Sequence, residues 1–552
     1  MSFIATQYTF TPGISGVGTV NLSGIDNFNA SYLKAIINQT RGVLIYSTAS
    51  TTLGYTSLSS KTLTLTFDTS AHSAGDRLQV VYELPESITL PQRSAFGEAI
   101  SVEPTPIFQG DFRSNNIRSR LWKTVVNNGT ATASNGLATL QTSAAANSWA
   151  TMFSKVPVKY NAGQGCSALF TCIFDTPVAN SIQVVGIGDY QDGLFFGYSG
   201  ITFGTFRRAP QRNKRSVLSI TRASTTVTVT TAADHALSTG NIVQITGTAA
   251  TLVAQNNYIG SFIISVTGVN TFTYTCENSP TTPGTGSYFY DLIVDNFVAQ
   301  TAFDNDLMDG TGPSSQTLDK TKGNVFKIQF QYLGFGHVNY FIEEAETGLF
   351  RNVQSINYAN ANLYPSLQNP TLPLFMSVRN ISNTTNLTIK TASMAGFIQG
   401  KSQELGLDPY SASATKATIT TQAAVISIQN KRAFNGEINK TRAKVLTLNL
   451  YAEGSGANPV TVKIIRGTTL GGSPSYTDVD ATNSVFSYDT AGTTITGGEI
   501  LKTYTIARNS PGLTEHELDL NLYINPEEII TISVATSTSV DATCSINWKE
   551  LI

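Results

Sequence analysis

The residues able to do chemistry are few and loosely spaced. The densest titratable run is FRRAPQRNKR, with Arg207, Arg208, Arg212, Lys214 and Arg215. Such a run can meet an acidic neighbouring subunit, an anionic glycan or nucleic acid. Phe206 is its only aromatic neighbour, so base stacking is not indicated. A solvated connector or a subunit contact is the favoured reading, and nucleic acid ranks last. Carboxylates gather at Glu343, Glu344 and Glu346 in FIEEAETG. Retaining glycosidases hold two carboxylates about 5 Å apart in one cleft. Glu344 and Glu346 alternate suitably, but position 345 is Ala where the glycosidase pattern has an aspartate, and Thr347-Gly348 turns the chain at once. A solvated hairpin tip is the favoured reading.

Asp304, Asp306 and Asp309 in DNDLMDGTG resemble a calcium loop only superficially, because Met308 occupies its fifth position and the glycine comes late. Turn capping is favoured. GIGDYQDG, residues 186–193, has a glycine pair but no phosphate-binding helix after it, and reads as a strand turn. His72, His235, His337 and His516 are isolated, and Asp234-His235 reads as surface chemistry of no consequence. Cys166, Cys172, Cys276 and Cys544 lack metal-ligand spacing and read as buried free thiols. Trp122, Trp149 and Trp548 read as core anchors. No nucleophile, base and orienting group can be nominated. The chain is therefore read as a non-enzyme with no catalytic residue, cofactor site or metal site.

The elements that must position these residues are strands. In VFKIQFQYLGFGHVNYFIEE, Phe326, Ile328, Phe330 and Tyr332 alternate with polar partners, Gly334-Phe335-Gly336 breaks the run, and Val338–Ile342 resumes it. That is a hairpin signal. At 552 residues the chain is too long for one core. Only 13% of residues are charged, helix-forming runs are rare, and Gly, Thr, Ser and Asn abound, which suits short strands joined by polar turns. A formal charge of −2 argues against a dedicated nucleic-acid binder. MSFIATQYTFTPG has neither a charged nor an apolar leader region, and no stretch approaches a membrane-spanning helix.

The predicted fold class is all-β: tandem β-sandwich or jelly-roll domains. Residues 1–84 form an N-terminal sandwich of six short strands, and 85–106, with four prolines, form a linker. Residues 107–215 and 288–400 form a central sandwich, interrupted by a small inserted β-module at 216–287. The central sandwich is expected to halt at the basic run. After a short joint, KSQELGLDPYSAS, residues 405–552 form a C-terminal sandwich of seven or eight strands, one of them His516–Leu522.

Several stretches together carry a resemblance. SGVGTVNLSGIDNF, KAIINQTRGVLIYST and LQVVYE resemble the N-terminal β-sandwich of tailed-bacteriophage structural proteins. DGLFFGYSGITFGTFRR, LGFGHVNYFIEE and YANANLYPSLQNPTLPLFMSVRN resemble the concanavalin-like sandwich of such virion proteins. HALSTGNIVQITGT with FTYTC is similar to a small phage β-module, and DATNSV, TAGTTITGG and NWKE are similar to a sandwich that ends such chains. The resemblance implies a structural virion protein, assembled in the host cytoplasm, of the tail, baseplate or fibre. Other virion proteins are its implied partners, in a homo-oligomer with a trimer favoured, and a host-surface glycan is a further candidate partner. Nucleic acid and membrane insertion are not expected. Two alternatives stand beside this: a capsid-decoration or head-fibre protein, and a glycan-binding or glycan-cleaving lectin-like protein.

Overall fold

The computed structural model describes residues 2–5, 8–23, 28, 30–50, 52–59, 61–83, 104–247, 258–276, 282, 284, 287–400, 408–456, 458–509, 513–516 and 522–551. Throughout these residues the chain is all-β, with only short 3-10 turns between strands. No helix among them is long and apolar enough to cross a membrane. The chain divides into two compact units, one of residues 1–93 with 99–101, the other containing the rest.

The first unit is a two-layer sandwich. One sheet orders Ser2–Ala5, Leu78–Glu83, Leu33–Asn38 and Val43–Ser47; the other orders Thr9–Thr11, Val17–Asn21, Thr62–Asp68 and Tyr55–Ser59. The period-2 pattern of Thr62–Asp68 decides which face is buried: Leu63 and Leu65 are fully buried, while the intervening threonines face outward. Tyr55–Ser59 is an edge strand exposed along its whole length. It has no apolar alternation to betray it in the sequence, since it pairs on one side through its backbone alone.

In the second unit, the predicted hairpin pairs Phe326 with Ile342 and Phe330 with Val338. It lies in a six-stranded sheet ordered Phe350–Ile356, Val338–Glu343, Asn324–Gln331, Gly165–Cys172, Ser393–Ile398 and Thr105–Asp111. The last of these corrects the linker boundary: residues 84–103 lie outside the described residues, but Thr105 and Pro106 are already in a strand. It is an edge strand, where a missing proline N–H is tolerated. The facing sheet orders Trp122–Asn127, Trp149–Ser154, Leu374–Asn380, Ser181–Gly188, Gly193–Ser199, Thr202–Pro210 and Tyr288–Ala299. Phe196 meets Phe326 across the core at 4.8 Å between ring centroids.

The central sandwich does not halt at the basic run. Phe206, Arg207 and Arg208 continue a strand to Pro210, paired with Tyr288–Ala299. That 12-residue strand serves two sheets' worth of neighbours: its C-terminal half pairs with Thr202–Pro210, and its N-terminal half with Ile242–Gly247 and Arg215-Ser216. The inserted module therefore extends the same hydrogen-bonded ladder, making a 13-stranded sheet.

In the C-terminal sandwich, one sheet orders Tyr410–Ile419, Val540–Leu551, Arg442–Glu453 and Leu513–His516. The other contains Phe486–Asp489, Ala423–Asn430, Ile529–Ala535, Val460–Arg466 and Glu499–Ile506. Tyr410–Ser413, read as part of a joint, opens a ten-residue strand. Of the predicted strand at 516–522, residues 517–521 lie outside the described residues; the observed strand is Leu513–His516. Trp548 is fully buried and packs 5.2 Å from Phe486. All four cysteines are buried and none is in a disulfide.

Candidate functional site

The turn of GIGDYQDG is where the sequence looked dull and the structure is dense. Ser181–Gly188 and Gly193–Ser199 form a hairpin, and Asp189 closes its turn by accepting the N–H groups of Gln191 at 2.7 Å and Asp192 at 2.9 Å. The two glycines make room for one ring: a Cβ on Gly193 would sit 2.0 Å from Phe195, and one on Gly188 2.6 Å away. Phe195 lies with Val184, Phe206 and Phe375 on the outer face of the large sheet, opposite the sandwich core.

That outer face is covered, and its charges are paired. Arg208 is 1% exposed and grips Asp295 through two bonds of 2.7 and 2.9 Å, donates to the Asp189 carbonyl at 3.1 Å, and lies 4.9 Å over Phe195. Burial alone would raise Asp295, but the Arg208 guanidinium more than offsets it and leaves the carboxyl below its ordinary range. Arg379, beside it, is pushed down to about 10 by burial and by the Arg208 charge, and donates to Gly240 of the inserted module at 3.3 Å. The Tyr190 hydroxyl donates to Thr151 at 2.9 Å. Ile242 and Ile263 of the module pack with Trp149 and Tyr190.

The C-terminal sandwich closes the same face. Lys440 reaches Asp189 at 2.7 Å and Asp192 at 3.6 Å. Asp192 is fully buried and also accepts the N–H groups of Gln368 at 2.6 Å and Asn369 at 3.1 Å. Burial nevertheless pushes its carboxyl up to about 6, because Lys440 and the amide bonds only partly offset desolvation and the neighbouring Asp189 adds to it. Burial disfavours the Lys440 charge, but the two aspartates outweigh it and raise the group. Glu437 pairs with Lys214 and accepts from Gln368 at 3.2 Å and from Gln244 of the module at 3.4 Å. Glu527 bridges Lys123 of the central sandwich and Arg432, each at 3.3 Å, and Arg432 in turn lies 5.6 Å over Phe262 of the module. The arrangement can fasten three β-modules together.

The candidate basic patch is thus not one solvated face. Arg208 is buried, Lys214 is committed to Glu437, and Arg215 donates to the His235 carbonyl at 3.1 Å. Arg207 and Arg212 point to a different place, donating to Ser366 and Pro365 carbonyls, each at 2.7 Å. Strand alternation splits the run, sending Arg207 and Arg208 to opposite faces of the sheet. His235 is also corrected: it is 2% exposed, accepts the Leu237 N–H at 2.9 Å through Nδ1, and so donates from Nε2 to the Gly268 carbonyl at 3.1 Å. Glu344 is not a solvated tip residue; it is 6% exposed and bound by Arg351 at 2.7 Å and Thr347 at 2.8 Å. Asp306 and Asp309 cap local turns, accepting the N–H groups of Met308 and Thr311, whereas Asp304 accepts the Ser355 N–H from the distant strand Phe350–Ile356. Trp122 and Trp548 sit in cores, whereas Trp149 is half-buried under the inserted module. His337 meets Asn339 at 2.8 Å, His72 meets Asn38 at 2.7 Å, and the His516 side chain lies outside the described residues.

No family model matches this sequence, and no curated protein does. Solved structures align only at low identity and low TM-score. Cellulose induced protein Cip1 aligns at 9% identity over 52% of this chain and 96% of that one, with a TM-score of 0.24. Lectin I-B4 from Griffonia simplicifolia aligns at 12% identity over 53% and 98%, with a TM-score of 0.21. A triple jelly-roll protein of an archaeal virus turret aligns at 7% identity over 78% and 90%, with a TM-score of 0.18. Nothing about activity or partners is carried from any of them. The missed residues form two close pairs, Asp189 with Asp192 and Glu437 with Lys440, that lie far from each other in sequence, and only the two-aspartate turn D-x-x-D could have drawn attention.

Proposed function

We propose that this chain is a structural component of a tailed-phage virion, working in the tail, baseplate or fibre through its surfaces and without covalent chemistry. The observation that carries the reading is the covered outer face of the large sheet. A sandwich that turned this face to a ligand would leave it open. Here Phe195, Phe375 and Asp192 are fully buried, Ile242 and Ile263 of the inserted module pack on Trp149 and Tyr190, and Lys440 of the C-terminal sandwich reaches Asp189 and Asp192, so the charged groups there fasten the modules to each other. Such a body suits load-bearing assembly, with affinity gained from loops and from several copies acting together. The N-terminal sandwich would dock on the particle, and the second unit would face a partner or the host surface.

The experiment is immunogold labelling of intact virions with antibody raised against residues 405–552. Label at the distal tail is the expected result. Label spread over the head would replace this reading with capsid decoration, and particles without label would overturn the virion assignment. The enzymatic alternative is tested separately with host-surface polysaccharide: cleavage by the wild type that Glu344→Gln abolishes would refute the non-enzymatic part.

A further inference from the structure

Two loops of the central sandwich form an exposed apolar knob. Leu363 is 91% exposed, Tyr364 61% and Leu333 57%. Exposed apolar groups scattered singly are ordinary, but these three sit on loops zipped together. The Ser366 N–H donates to Gly334 at 2.8 Å, the Tyr332 hydroxyl to Leu367 at 2.8 Å, and Phe335 packs 6.2 Å from Tyr358. Two arginines pin the loop from behind. Arg212 lies 5.4 Å over the Tyr364 ring while bonding Pro365, and Arg207 lies 5.1 Å over Tyr358 while bonding Ser366. The knob is therefore held in shape before it meets anything, which lowers the entropic cost of docking. Its composition is that of an interface centre: aromatic, aliphatic and arginine, with no charged side chain anywhere in residues 352–378.

Both arginines bond only carbonyls and rings, so neither has a carboxylate partner among the described residues. The matching charge is on the same molecule. Val338–Glu343 runs from the knob's loops to the opposite end of its sheet, roughly 20 Å away at the strand rise. There, Glu344 is taken by Arg351, but the side chains of Glu343 and Glu346 have no hydrogen bond or ion pair among the described residues. Leu349, 48% exposed, stands beside them. Among the described residues, one end carries two guanidiniums with no carboxylate partner behind an apolar knob, and the other carries two carboxylates with no cation partner beside an exposed leucine.

We propose that the Leu333–Leu363–Tyr364 knob docks on the Glu343–Glu346–Leu349 tip of a second copy of this chain. The contact is heterologous, head to tail, so each added copy leaves one knob and one tip free until a ring closes. This deepens the homo-oligomer part of the proposed function and is independent of the virion setting: labelling of particles decides the setting, and association of the purified chain decides this.

The test is sedimentation velocity of the full purified chain at low salt and at about 0.5 M salt, where surface charges are screened. A closed oligomer at low salt that loosens at high salt is expected. Leu363→Asp alters a side chain almost wholly in solvent and should weaken association by tenfold or more. Glu346→Arg should weaken it too, and combining it with Arg212→Glu should recover part of the loss. Circular dichroism unchanged in Leu363→Asp separates lost docking from lost folding. A monomer at every salt up to about 50 µM, or an oligomer that both Leu363→Asp and Glu346→Arg leave intact, would overturn the proposal; the former result would leave the knob to an acidic partner of another kind.

Discussion

Lys440→Met tests whether the buried charges really fasten the C-terminal sandwich. The lysine contributes one positive charge at 2.7 Å from Asp189 and 3.6 Å from Asp192. At an effective dielectric near 20, these separations correspond to attractions of about 6 and about 5 kcal/mol before desolvation is subtracted. Most of that gain offsets the cost of burying three charges. Removing the cation alone is different, because it strands two aspartates whose surroundings stay closed. Deleting one partner of a buried pair costs about 3–5 kcal/mol, and that is the expected loss here. Methionine fills much the same volume as the lysine stem, so the loss reports charge and not a cavity. The assay is hydrogen exchange at the amides of Gln368 and Asn369, which donate to Asp192, read alongside chemical unfolding. Expected is a drop of protection at both amides, with partial recovery when Asp192→Asn is added to Lys440→Met. A loss below about 1 kcal/mol, in the range of an exposed pair, with unchanged amide protection would refute the reasoning.

The same cluster predicts a pH dependence. Asp192 is raised to about 6 in the folded chain from an ordinary value of 3.8, so the folded state holds its proton more tightly than the unfolded state. Stability from this group therefore rises as pH falls from about 6 to about 4, by at most about 3 kcal/mol; Asp192→Asn should flatten this rise in a wild-type minus variant curve, and parallel curves would contradict it. Asp76 has the opposite sign: its hydrogen bond from Asn38 and its Arg41 partner hold it at about 2, so the N-terminal unit should lose stability as pH falls through about 4 to 2, a loss that Asp76→Asn removes from the acid limb of thermal melts. Trp548→Ala should cost about 3–5 kcal/mol in unfolding of the C-terminal sandwich by emptying the space beside Phe486; a cost under about 1 kcal/mol would mean the core is not centred there.

The sequence by itself determined the class and most of the strands. Thr62–Asp68 and the Asn324–Gln331 hairpin carry their burial in a period of two, which is a local property of the backbone and needs no partner to be read. Trp548 and the cysteines were legible for a similar reason, since a large or thiol-bearing side chain in such a strand has few places to go but inward. Edge strands were the blind spot: Tyr55–Ser59, Thr105–Asp111 and Tyr410–Ile419 are defined by backbone pairing on one side, and their side chains record little of it.

Only the tertiary structure decided what the charges do. Lys440 meets Asp189 and Asp192 across some 250 residues of chain, about the separation at which no spacing rule applies. The basic run looked like one patch because its members are adjacent in sequence, yet a strand sends neighbours to opposite faces, and Arg208 went inward to Asp295 while Arg207 and Arg212 came to back an exposed loop. Burial and pairing of charge depend on which surfaces close over one another. That is a property of packed sheets, and the order of residues along a strand does not contain it.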